Sequence, residues 1–122
     1  MFEIKTELLT LNEYINIERR NKFAAASSKK KLTSILAFEI MAHGRKGINA
    51  ESLYDIEIKW YRVNKKHDSD NVFFGVKFIL DGFVKAKILK NDGRKNVRHI
   101  HNYIYDSNTF YNYCTVEFKE AK

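Results

Sequence analysis

Two aspartates one residue apart, Asp68 and Asp70, stand in HDSDN, and a third, Asp92, stands in KNDGRK. Carboxylates this close repel each other, so both stay ionised only when a cation or several donors offset the charge. Oxygen ligands of this kind select hard cations such as magnesium or manganese, and such an ion lowers the pKa of a bound water. A calcium loop of the EF-hand type is excluded: it needs an oxygen ligand at its fifth position and glycine at its sixth, where Val72 and Phe73 stand. The competing account is local. One of Asp68, Ser69, Asp70 or Asn71 would cap a helix with Val72, Val76, Ile79, Leu80 and Phe83 on its apolar face, and Asn91-Asp92-Gly93 would be a surface turn. Lys77 on that helix is spaced to pair with Asp81, its stem lying over apolar neighbours.

The acids lie in a basic surround. The chain of 122 residues carries 22 Lys and Arg against 15 Asp and Glu, a formal charge of +7. Arg19, Arg20 and Lys22, then Lys29, Lys30 and Lys31, cluster early; Lys65 and Lys66 precede the acids, and Lys85, Lys87, Lys90, Arg94 and Lys95 follow them. This balance points to an anionic partner, although a lysine run taken alone is equally a solvated face. Cys114 is the only cysteine, which excludes an internal disulfide and a cysteine-rich zinc site and suits a small apolar core residue. His99 and His101 share one face of a strand, but two ligands are not a site; a solvated or phosphate-facing pair is the reading. Apolar runs are too short to span a bilayer and MFEIKTELL lacks a signal-peptide layout, which implies a cytosolic chain with no membrane partner.

Elements that would position these groups follow from periodicity. With 44% apolar, 14% aromatic and 30% charged residues, the chain reads as one globular domain over 1–122. Phe2, Ile4, Thr6 and Leu8 alternate with polar residues, as in a half-buried strand. Thr10 and Glu13 form a capping box ahead of a helix running toward Arg20. A second helix spans Lys22 to His43, with Leu32, Ile35, Leu36 and Ile40 on its core stripe and Gly44 ending it. Tyr54, Ile56, Ile58 and Trp60 mark the next strand. One helix of about four turns starts near Asp70. Val97 to Tyr105 and Phe110 to Lys119 read as a hairpin around DSNT, with Tyr103, Tyr105, Tyr111 and Tyr113 packing across strands. The order strand, helix, helix, strand, helix, strand, strand gives an α+β fold, a mixed four-stranded sheet with helices packed on it.

HDSDN, then KFILD on an apolar helix, then NDGRK before a strand: in this order the chain resembles the RusA-like family of Holliday junction resolvases, particularly forms from bacteriophages and prophages of Gram-positive bacteria. TLNEY at Thr10 to Tyr14 also resembles a motif of that family. The resemblance implies a RusA-like fold and a homodimeric, magnesium- or manganese-dependent endodeoxyribonuclease. Such an enzyme cuts four-way DNA junctions symmetrically in recombination and repair, in the cytoplasm of a bacterial host and without a small-molecule cofactor. By motif, Asp68 and Asp70 correspond to the paired essential acids and Asp92 to the third, all as metal ligands, and Lys77 corresponds to the catalytic lysine. Asn71 matches the amide of the DxDN string and would face DNA. Lys65, Lys66, Lys90, Arg94 and Lys95, with Lys29, Lys30 and Lys31, would bind phosphates. Three extra residues stand between DxDN and Lys77 relative to the founding pattern, turning the lysine by roughly 60 degrees about the helix. Two other readings stay open: a non-catalytic basic DNA-binding module, and a metal nuclease acting on another branched or single-stranded DNA.

Overall fold

The period-two run at Tyr54 becomes the strand on which the fold is built. In the computed structural model, which describes residues 1–64 and 69–121, the elements in chain order are β1 (Phe2–Ile4), α1 (Leu11–Arg20), α2 (Lys22–His43), β2 (Tyr54–Arg62), α3 (Ser69–Phe73), α4 (Val76–Lys85), β3 (Val97–Asp106) and β4 (Tyr113–Glu120). The strands form one four-stranded mixed sheet in the order β1-β4-β2-β3. β4 runs antiparallel to β1 and β2, and β3 runs parallel to β2. This is the α+β arrangement the alternation of periods predicts.

One sheet face carries the core. Tyr54, Ile56, Ile58 and Trp60 are buried with Phe2, Ile4, Cys114 and Val116, and Leu36, Ile40, Phe78, Ile79 and Phe83 of the helices pack against them. Burying each such side chain contributes on the order of 1.5–3 kcal/mol. α4 crosses α2 at Gly82, where a Cβ would lie 2.9 Å from Leu36 Cγ and 3.2 Å from Ile40 Cδ1. Only hydrogen fits there, so a glycine inside the helix sets the α2 to α4 distance.

Four expectations need correction. The first strand ends at Ile4 instead of Leu8, because Glu39 of α2 draws the chain off the sheet: its carboxylate accepts from Lys5 N–H at 2.7 Å and Thr6 N–H at 3.1 Å. The helix from Asp70 is two helices. Between them Gly75 N–H donates to Val72 O at 3.0 Å and Lys77 N–H to Phe74 O at 3.4 Å, a tighter i to i+3 pattern where the chain presses onto Trp60. There is no hairpin between β3 and β4, since β2 lies between them. The crossover through α3 and α4 returns the chain in the direction of β2, and residues 107–112 then pass the end of that strand, with Ser107 N–H on Arg62 O and Asn112 Oδ1 accepting from Val63 N–H. Finally, Ile35 lies on the outer side of α2 and is exposed, as are Phe38 and Met41, while Leu36, Ala37 and Ile40 face the core.

Candidate functional site

The capping box ahead of α1 forms as predicted: Thr10 Oγ1 accepts from Glu13 N–H, and Glu13 Oε1 accepts from Thr10 N–H. Tyr14 of α1 packs on Phe74, and Phe73 packs on Trp60, which anchors the far end of α3 while leaving its start at the surface. Asp70 sits in that first turn, exposed, with Oδ1 accepting from Asn71 N–H at 3.1 Å. It makes no ion pair among the described residues. Its carboxylate satisfies one amide, and no other side-chain partner for it stands among the described residues. Asn71 is half-buried beside it. Asp68, Lys65 and Lys66 lie outside the described residues.

α4 buries Phe78, Ile79, Leu80 and Phe83. The same helical period puts Lys77 and Asp81 on its outer side, where Lys77 Nζ lies 3.3 Å from Asp81 Oδ1. It also lies 3.3 Å from Asp92 Oδ2. The two roles weighed for Lys77 are thus not exclusive in geometry: it pairs along its helix and reaches the third acid as well. Both carboxylates favour the ammonium form, Asp92 most, and raise the lysine pKa above its usual 10.5 against a smaller opposing effect of burial. Lys77 is a fixed cation at neutral pH and not a general base.

The return of Asp92 to this point is imposed from outside α4. Lys87, at φ 62°, reverses the chain, and the Arg45 guanidinium holds the reversal by donating to Lys87 O at 2.7 Å and Ile88 O at 3.1 Å. Ile88 and Leu89 then enter the core. Buried Asn96 donates from Nδ2 to Ala50 O at 2.9 Å and Ser52 O at 3.0 Å, and Lys90 N–H donates to Ala50 O at 3.1 Å. Between these two fixings Asn91 Oδ1 accepts from Gly93 N–H at 2.6 Å, closing the turn that presents Asp92.

Beside Asp81 and Asp92 opens a groove of about 260 Å³, lined also by Val84, Lys85, Lys90 and Asn91. Lys85 Nζ donates to Ser34 Oγ of α2 at 2.8 Å, and Lys90 pairs with Glu51 at 3.4 Å. Arg94 and Lys95 are exposed on the turn after Asp92, and Lys30 and Lys31 are exposed on α2, with Lys29 half-buried. Sequence reasoning did not give Arg45 and Asn96 a role, because both act on carbonyls more than forty residues away, which no local spacing signals. Nor did it place Lys85 and Asn91 at the groove.

Whether this donor set suits a hard cation is answered by its chemistry. Asp70, Asp81 and Asp92 present carboxylate oxygens, and two of them already share the positive charge of Lys77. Among the described residues no three His, Cys, Asp or Glu side chains gather into a metal-holding group. The predicted triad includes Asp68, so its assembly falls on a residue outside the described set.

On the opposite face of the sheet, His99 and His101 are exposed, their rings 6.1 Å apart, in register with Asp55 and Glu57 of β2. Carboxylate neighbours suit the solvated reading of the pair. Tyr105 and Tyr113 do pack across strands, both through a member of β2 that sequence reasoning omitted: Tyr61 stacks on Tyr113 at 4.6 Å and on Tyr105 at 5.5 Å. Tyr111 lies 5.7 Å from Tyr113. Cys114 is buried in the core, where loss of solvation pushes its thiol up to about 12. No described helix is long and apolar enough to cross a membrane. Comparison with protein-family models finds no match, and a search of curated proteins finds none.

Proposed function

We propose that the chain is a magnesium-dependent endodeoxyribonuclease that resolves four-way DNA junctions by symmetric hydrolysis of the backbone. The observation that carries the reading is the meeting of Asp92 with Lys77 across fifteen residues of sequence, at the mouth of a groove flanked by Lys85 and Lys90. Asp68, Asp70 and Asp92 are the ligands in this reading. Magnesium, when bound, supplies an ionised water and neutralises charge on the attacked phosphodiester. Lys77, held protonated, offsets negative charge that grows on the phosphate oxygens, and Lys90, Arg94 and Lys95 position the backbone through phosphate contacts. Asn71 donates its amide to the DNA beside Asp70, and Lys65, Lys66, Lys29, Lys30 and Lys31 extend the phosphate contacts. A four-way junction has approximate twofold symmetry, so a twofold dimer brings one site to each of two opposing strands.

A second reading has its own support. Lys77, Asp81 and Asp92 already satisfy one another, as in a non-catalytic basic module whose acids only shape a loop. Labelled four-way junction and linear duplex, incubated with the protein with and without magnesium, separate the two. Junction cleavage that needs magnesium and drops at least about 100-fold in Asp70→Asn supports the nuclease. Binding without cleavage supports the module, and equal cutting of linear duplex removes the junction selectivity.

A further inference from the structure

The sheet has two unlike edges. β1, at one edge, is three residues long, whereas β3, at the other, spans ten residues from Val97 to Asp106. Its outer backbone groups are paired to no strand among the described residues. Edge strands of stable monomers are blunted by lysine, proline, bulges or brevity. The one irregularity of β3 lies at its start, near Arg98, and from His99 to Tyr105 the sequence HIHNYIY holds no proline, glycine, lysine, arginine or acid. Tyr103, Ile104 and Tyr105 are exposed. A strand of this composition left open is a site for pairing with another chain.

We infer that the occupant is a second copy of β3, paired antiparallel about Asn102, which joins two four-stranded sheets into one of eight strands. The segment reads the same way in both directions by residue class around that centre. Antiparallel pairing there sets Ile100 opposite Ile104, His101 opposite Tyr103 and His99 opposite Tyr105 of the second copy, with Asn102 facing its counterpart. The ends carry opposite charge, so Arg98 lies level with Asp106 of the other copy; within its own chain the Arg98 guanidinium is held on Asp55 at 2.6 Å. Shifting the register by one residue would set core-face Ile100 beside open-face His or Tyr, so side-chain facing selects this register or one two residues away. The latter separates the isoleucines.

The twofold axis of an antiparallel pair stands perpendicular to the sheet, so like faces of the two copies coincide. Both helical layers, and with them both Lys77 and Asp92 clusters, fall on the same side. The tyrosines and histidines form one continuous opposite face. This inference specifies the dimer of the proposed function, yet its test reads mass and cross-linking, so a failed nuclease assay leaves it standing.

Sedimentation equilibrium of the full chain at about 50 µM gives twice the chain mass if the inference holds. Ile104→Lys, at an exposed position, then lowers self-affinity at least about 100-fold with an unchanged circular dichroism spectrum. Asn102→Cys cross-links between copies on mild oxidation, whereas the protein with its buried Cys114 alone does not. A monomeric wild type overturns the inference, as does a dimer that survives Ile104→Lys but is broken by Phe38→Lys on the exposed side of α2. A dimer in which Asn102→Cys never cross-links overturns the register.

Discussion

Lys77 shows how little of a site is decided by the residue that names it. Its pairing with Asp81 was legible, because four residues bring two helical side chains together whatever the surroundings. Its contact with Asp92 was not, because that distance depends on Arg45 and Asn96 holding a loop from elsewhere in the chain. The two acids raise the lysine pKa, so the stability they add is complete below 10.5 and is lost as pH rises through the folded value. In an exposed cluster the contribution is about 0.5 kcal/mol. Asp92→Asn should return the lysine toward 10.5, as read by nitrogen-detected NMR titration of the lysine side chains, and should flatten the fall in stability above that pH. An unmoved Lys77 resonance would mean that Asp92 does not touch it in solution.

At the level of elements, sequence reasoning succeeded where stabilisation is local and failed where a distant group intervenes. The ends of α2, the capping box of α1 and the alternation of β2 each follow from residues within one turn or one strand. The early end of β1 follows from Glu39, and the break between α3 and α4 lies where the chain closes on Trp60. Gly82 lies where α4 crosses α2. Gly82→Val would drive Cβ into Leu36 and Ile40, and the overpacking should cost about 1–3 kcal/mol in urea unfolding with an unchanged m-value. If the variant is as stable as the parent, α2 and α4 pack less closely than described.

For the whole molecule, net charge and surface distribution govern any encounter with DNA. Phosphate contacts release counterions, so log affinity for a four-way junction should fall linearly with log salt concentration, and Lys90→Ala, Arg94→Ala and Lys95→Ala should each reduce the slope by about 1. Filter-binding titrations between 50 and 200 mM salt would measure it, and a slope that ignores all three substitutions would move the DNA surface elsewhere. The amino-acid sequence by itself determined the α+β class, the order of elements apart from the split of the helix that follows Asp70, the core face of β2 and the presence of three aspartates in a basic surround. These depend on period, capping and composition, which act over a few residues. Tertiary structure alone decided that β3 lies parallel beside β2 instead of folding onto β4, and that Asp92 ends 3.3 Å from Lys77. Both depend on where the chain goes after α4. That path is set by a guanidinium and a buried amide binding backbone carbonyls more than forty residues away in the chain.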